Sequence, residues 1–343
     1  MKAVRLYAAG DLRVEDIAPP AAPEAGWVKL KLAAAGICGS DLHNFRTGQW
    51  ISRSPSVVGH ELTGTVVALG AGVEPLAVGD QVVADSRFWC GECPACRRGQ
   101  RHLCVSLGFV GEVCDGGFAE ETVLPARLLH VVDPALPPRI AVFAEPLAVA
   151  LHAVRRLPVS ASPVLVAGCG PIGGLVALLL SQDASRQVLV ADRNTARRDL
   201  VARVTGAKAV DLNRDALAAA TSDPCFLAVE ATGSIDVLPQ LLQMLEPGGS
   251  IALVGIFGRR FDLDPNLLVE REIGLLGCHA FADELPEAIR MLPLLARQLN
   301  QLIEREISLD DVPHAYERLL TGNAEGLKTV IRIEATSPHS RPD

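Results

Sequence analysis

The run Cys90-Gly-Glu-Cys93-Pro-Ala-Cys96 is followed, after seven intervening residues, by Cys104. Four thiols this close can reach one ion, and zinc takes four thiolates in a tetrahedron at about 2.3 Å. Disulfides belong to oxidising compartments, and Met1-Lys2-Ala3-Val4-Arg5 has no apolar run of the kind an export signal carries. Redox Cys-x-x-Cys chemistry needs two cysteines, not four. A zinc ribbon for nucleic acid uses two separated knuckles, and Arg97, Arg98 and Arg101 read as a solvated loop face. His102 sits between ligands and could replace one, but four sulfurs suffice. The spacing predicts a bound zinc and leaves its purpose open.

A second signal is Gly168-Cys-Gly170-Pro171-Ile172-Gly173, which fits G-x-G-x-x-G. It follows the apolar run Pro163-Val-Leu-Val-Ala and opens a helical stretch, and Asp192 ends the next strand-like run, 19 residues past Gly173. That context marks a dinucleotide site. The first glycine serves the tight turn, the second lets the backbone approach the pyrophosphate, and the third lets helix and strand pack closely. The pyrophosphate would sit on the positive helix N-terminus. A carboxylate at Asp192 accepts from a free ribose 2′-OH and repels a 2′-phosphate, so NAD is expected over NADP. Arg193, next to it, is the residue able to pair with such a phosphate.

A third constellation lies upstream, in Gly36-Ile-Cys38-Gly-Ser40-Asp41-Leu-His43 and Gly59-His60-Glu61. Cysteine and histidine are zinc ligands, and carboxylates complete such sites. Each piece alone is a modest signal. Together with a zinc loop and a dinucleotide motif on one chain they gain weight.

The elements that must position these residues divide in texture. Up to about residue 145 the chain is rich in glycine, proline and short alternating runs. Val28-Lys-Leu-Lys-Leu32, Thr63 to Leu69 and Asp80 to Ala84 predict strands. Beyond it, Leu147 to Leu157 reads as a helix, then strands (Pro163–Gly168, Gln187–Asp192, Cys225–Glu230, Ser250–Gly255) alternate with helical stretches such as Ile172 to Gln182. That alternation predicts a parallel sheet covered on both faces. Past residue 281 come further helices and a short strand, Thr329 to Ile333. The polar tail Thr336 to Asp343 reads as a frayed end.

Composition bounds the partners. The chain has 343 residues, 49% hydrophobic and 21% charged, enough for two domains with buried cores. A net charge of −8 argues against nucleic acid, because binding there draws on basic residues. The longest apolar stretch, Gly173 to Leu180, is too short for a membrane span. Thiols used as metal ligands and the lack of an export signal make cytoplasm the expected setting. The other cysteines, Cys114, Cys169, Cys225 and Cys278, are scattered and read as core residues. His130, His152, His279, His314 and His339 receive no role.

The combination of G-I-C-G-S-D-x-H, G-H-E, the four-cysteine lobe, Asp115-Gly-Gly-Phe-Ala-Glu120 and G-x-G-P-I-G resembles the zinc-dependent medium-chain dehydrogenase/reductase family over nearly the whole chain. Ala144-Glu145-Pro-Leu-Ala-Val-Ala-Leu-His-Ala153 looks like its polyol, butanediol and threonine dehydrogenase branch. Simple alcohol dehydrogenases have a zinc-binding cysteine where Glu145 stands, a departure that steers away from ethanol-type substrates. The resemblance implies an α/β chain: a β-rich, GroES-like catalytic domain from residues 1–147 and 281–343, and a Rossmann domain over 148–280 with a doubly wound parallel sheet. It implies two zinc ions per subunit, a homodimer or homotetramer, and a small alcohol or ketone as substrate.

The same resemblance assigns roles. Cys38, His60 and Glu61 bind the catalytic zinc, Glu145 ligates it or reaches it through water, and Asp41 orients His60 by accepting its other N–H. Cys90, Cys93, Cys96 and Cys104 hold a structural zinc. Gly168, Gly170, Pro171, Ile172, Gly173 and Asp192 bind the cofactor. The substrate proton leaves by Ser40 and then His43, since a histidine's ordinary pKa suits transfer near neutrality. The expected reaction is hydride transfer between a secondary alcohol of a polyol, diol or sugar acid and NAD. Butanediol and threonine dehydrogenases are the rivals within the class, and Arg46 and Arg53 read equally as contacts for an anionic substrate or as exposed loop charges. A non-catalytic dinucleotide sensor or a zinc-free quinone reductase would have lost the ligands that are intact here.

Overall fold

The computed structural model describes residues 1–333. The tail from Thr336 to Asp343, with His339, lies outside the described residues.

Two large sheets organise the chain. The first has seven strands in the order Leu129–Val131, Gln81–Ala84, Glu61–Leu69, Trp27–Gly36, Lys328–Arg332, Ile303–Ile307, with Glu121–Pro125 also paired to Trp27–Gly36. Trp27–Gly36 is its organising strand. Val28, Leu30 and Leu32 point into the core while Lys31 faces out, the period-two pattern visible in the residues. Near its end, Gly36 has Glu61 opposite on one side and Val330 opposite on the other. A strand from the end of the described chain is thereby stitched beside residues from its first fifth.

The second sheet is parallel, with six strands in the order Lys208–Ala209, Val188–Ala191, Val164–Ala167, Leu227–Glu230, Ser250–Leu253, Gly274–Gly277. Its central strands are buried at every position, as expected for continuous Val/Leu/Ala runs covered by helices on both faces. The order reverses on either side of Val164–Ala167, which makes the carboxyl end of that strand a topological switch point.

Helix Ala144–Arg156 packs on helices Pro171–Leu180 and Leu285–Leu302. The last of these buries Leu285, Ala288, Leu292, Leu295, Leu299 and Leu302, an i, i+3, i+4, i+7 stripe. The helix Ala144–Arg156 begins earlier than the apolar pattern suggests, so Glu145 falls in its first turn. No described helix is long and apolar enough to cross a membrane.

Candidate active site and metal centres

Cys38 caps the helix Gly39–Thr47, and the Asp41 carboxylate Oδ2 accepts from the Cys38 backbone N–H at 2.8 Å. Asp41 Oδ1 lies 3.3 Å from His60 Nδ1. One carboxylate therefore serves both as a turn cap and as the group that orients His60. Burial alone would lower the His60 pKa, but Asp41 outweighs it and raises the imidazole well above its ordinary value. The surroundings favour positive charge at this point. The turn carrying His60 is clamped by the Asp115–Glu120 segment: Gly117 N–H donates to Gly59 O at 2.8 Å and Phe118 N–H to Val58 O at 2.9 Å.

A thiolate sulfur, an imidazole nitrogen and a carboxylate oxygen from Cys38, His60 and Glu61 lie within 4.8 Å of one another. Such a donor set suits zinc. The seat for Glu61 requires Gly36, where an added Cβ would stand 2.0 Å from Glu61 Oε2. Glu145 is outside this tight set. Its carboxylate accepts from Ser86 Oγ at 2.7 Å, and burial pushes its pKa up, with His60 pulling the other way.

Lys328, which sequence reasoning missed, donates to Glu61 Oε1 at 2.6 Å, to Oε2 at 2.7 Å and to Ile37 O at 3.3 Å. Burial would lower the ammonium pKa, but Glu61 and Cys38 outweigh it and raise it, so the ammonium stays charged. A charged residue at the head of the apolar Thr329–Ile333 run was its one signal, and nothing in the sequence ties it to Glu61.

Ser40 Oγ stands 3.5 Å from His60 Nε2, the nitrogen facing away from Asp41. His43, one turn further along the helix, pairs through Nε2 with Gln49 Oε1 at 3.0 Å and packs against Trp50, ring centroids 4.7 Å apart. No hydrogen bond joins Ser40 to His43 among the described residues. Arg53 pairs with Asp115 at 3.0 Å, whereas Arg46 borders the nucleotide cavity.

That cavity, about 840 Å³, opens at the switch point and is bordered by Gly168, Gly170, Asp192, Arg193, Thr232 and Ile256, among others. Gly168 has φ +100°, and a Cβ on Gly173 would meet Gly168 O at 1.7 Å, so turn and packing both exclude side chains there. Gly170 caps the helix, with open space where a Cβ would stand, and Pro171 takes the first helical position, where its missing N–H costs nothing. Ile172 is half-buried against the core. Asp192 accepts from Cys169 N–H at 2.6 Å and from Asn194 N–H at 2.7 Å, which locks its carboxylate beside the glycine turn. This chemistry fits a dinucleotide.

The sulfurs of Cys90, Cys93, Cys96 and Cys104 also lie within 4.8 Å of one another. Cys93 caps the short helix Pro94–Arg97, and backbone N–H groups of residues 90, 93 and 96 point at the sulfurs of Cys104, Cys90 and Cys93 at 3.3, 3.4 and 3.5 Å. The backbone bond from Cys90 leads the effects that bring Cys104 down to about 6, while burial pushes Cys96 up to about 12. His102 is turned away from this knot. Its ring lies 5.1 Å from that of His152, whose Nδ1 is 3.0 Å from Glu284 Oε1. Of the remaining cysteines, Cys169 and Cys225 are buried, and Cys114 and Cys278 half-buried.

Residues 24–134 match the alcohol dehydrogenase GroES-like domain, and residues 138–333 match the glucose dehydrogenase C-terminus. The chain is 34% identical to L-threonine 3-dehydrogenase of Pyrococcus horikoshii, over 72% of this chain and 73% of that one. It is 32% identical to 2-dehydro-3-deoxy-L-galactonate 5-dehydrogenase of Pseudoalteromonas atlantica, over 92% and 94%. The crystal structure of 2R,3R-butanediol dehydrogenase from Bacillus subtilis superposes with a TM-score of 0.86 at 30% identity, covering 96% of this chain and 99% of that one. With a GroES-like domain joined to a Rossmann sheet, the chain belongs to the medium-chain dehydrogenase family, in the branch of threonine and polyol dehydrogenases, and is an oxidoreductase.

Proposed function

We propose that this chain is a zinc-dependent, NAD-preferring dehydrogenase that moves hydride between a secondary alcohol of a polyol, diol or sugar acid and the nicotinamide. The observation that carries the reading is the convergence of Cys38, His60 and Glu61 donors within 4.8 Å on a chain that also builds the glycine-turn cavity. The match along 92% of the chain to a galactonate-type dehydrogenase supports the sugar-acid member of that substrate class. Butanediol and threonine are the competing substrates.

Cys38, His60 and Glu61 would hold the catalytic zinc with Glu145 reaching it through water, and the four-cysteine lobe would hold a second, structural zinc. At the first site the metal supplies Lewis-acid polarisation of the carbinol oxygen, and NAD supplies the hydride acceptor. A dication with one thiolate and two carboxylates carries a net negative charge, which would weaken that polarisation. Lys328 offsets that excess negative charge, so both carboxylates can stay close. Asp41 holds Nδ1 of His60 and leaves Nε2 for the metal. Ser40 Oγ, beside Nε2, would take the substrate proton, and His43 would pass it on to solvent. Asp192 selects the free ribose 2′-OH. The domain limits at 147/148 and 280/281, the homo-oligomer and the cytoplasmic setting belong to the same proposal.

The test is an assay of polyols, diols, threonine and aldonates with NAD, on protein of measured zinc content. An alcohol-dependent rise in NADH absorbance that disappears when the metal is stripped is the expected result. Full activity in metal-free protein, or no NADH from any member of the panel with both sites loaded, would sink the reading.

A further inference from the structure

Beside His60 lies a second and much smaller cavity of about 10 Å³, bordered by Ser40, Asp41, Asn44, His60, Glu112 and Tyr316. That is room for about one water molecule. Tyr316 comes from helix Val312–Leu320, near the end of the described chain, and is 1% exposed. Its ring sits edge-on to Phe45, centroids 5.4 Å apart, on the same helix that carries Asp41. Its hydroxyl has no hydrogen-bond partner among the described residues. A fully buried O–H left in that state is costly, and natural cores avoid it. Burial first, and then the charges of Asp41 and Cys38, push the phenol far above its ordinary pKa, so the group remains a donor. Asp41 and Glu112 also border the cavity; burial pushes the Glu112 carboxyl up to about 7, and in either protonation state it keeps an oxygen that accepts.

We propose that this cavity holds one ordered water, which accepts from the Tyr316 O–H and donates to the carboxylates of Asp41 and Glu112. Tyr316 and Glu112 are thereby positioning residues for the Asp41–His60 pair. The inference rests on the reading of His60 as a zinc ligand. Asp41 already accepts from the Cys38 backbone N–H and faces His60 Nδ1. A third bond, from the water, pins the carboxylate in the plane where it serves His60. Partners of this kind behind a metal-binding histidine commonly change metal affinity by about 10–100-fold.

The experiment is a chelator titration of the full chain loaded with cobalt, whose one-thiolate and four-thiolate sites absorb differently. Tyr316→Phe keeps the ring contact with Phe45 and removes only the hydroxyl. Its Cys38 site is expected to lose metal at about tenfold lower chelator concentration than the unaltered chain, while the four-cysteine site is unchanged. An equal midpoint at the Cys38 site overturns the proposal. Glu112→Ala is expected to weaken the same site, and Glu112→Gln to retain it, because the amide oxygen accepts the same bond. Alanine and glutamine variants that behave alike also overturn it. Metal uptake at the four-cysteine site alone in the unaltered chain overturns the zinc reading itself, and that stoichiometry tells the two failures apart.

Discussion

Lys328 Nζ lies 2.6 and 2.7 Å from the two oxygens of Glu61, and neither side chain has any exposure to solvent. The pair joins residues 267 positions apart, and Glu61 is itself a candidate metal ligand. Removing one partner of such a pair strands the other charge in the core. Lys328→Met is expected to lower unfolding stability by about 3–5 kcal/mol, read by urea denaturation. A loss within experimental error would show that Glu61 takes up a proton or finds a new partner.

Asp192 is locked by two backbone N–H groups at the mouth of the nucleotide cavity. Asp192→Ser removes the charge that disfavours a 2′-phosphate and leaves Arg193 in place. The ratio of kcat/KM for NAD to that for NADP is expected to fall by at least about tenfold, the loss of one good charge-assisted contact. An unchanged ratio would mean that other groups read the ribose.

Ser40 Oγ stands 3.5 Å from His60 Nε2. Ser40→Ala should lower kcat by about 10² or more, the usual scale for an acid–base group. The check is steady-state kinetics with deuterated alcohol, to establish that chemistry limits the rate. Full kcat in that variant would route the proton elsewhere.

Cys96 belongs to a four-sulfur knot which, if it binds zinc as proposed, would leave no coordination position for substrate. Cys96→Ser is expected to lower the thermal midpoint or disturb assembly, since metal binding at such a lobe is folding free energy. Turnover per correctly folded, metal-loaded catalytic site should change little. A selective loss of kcat with stability intact would move this lobe into the chemistry.

Glu284 offers a pH test on a carboxylate that belongs to neither candidate ligand set. Burial alone would raise its carboxyl, but the bonds from His152 Nδ1 and Ala282 N–H outweigh it and hold the pKa at about 2. A folded pKa below the unfolded value gives stability that is present above about pH 4.3. It is lost as pH falls through about 2. The slope of stability against pH in that window should shrink in Glu284→Gln, measured by denaturant midpoints at each pH.

Much of the site was legible because its residues are local. Cys38, Ser40, Asp41 and His43 share one cap and one helix, and the four-cysteine lobe is a single loop, so spacing alone reports on their geometry. The glycine turn was legible for the same reason, since the crowding that requires Gly173 comes from Gly168, five residues before it. Lys328, Tyr316 and Glu112 were not legible, because each meets the site only across the fold. Arg53 was read either as a contact for an anionic substrate or as an exposed loop charge, and it pairs with Asp115 at the surface.

The residues in order were enough to determine the donor chemistry, the parallel sheet with its glycine turn, and the family. Local spacing encodes caps, turns and periodicity, and these do not depend on what packs against them. Only the tertiary structure decided the electrostatic balance around His60 and Glu61. The pairing of Lys328–Arg332 with Trp27–Gly36 buries a lysine beside Glu61, and the helix Val312–Leu320 brings Tyr316 to Asp41. Charges interact through space in a medium that burial makes less polar, and no short-range pattern in the chain records which distant residue that medium will enclose.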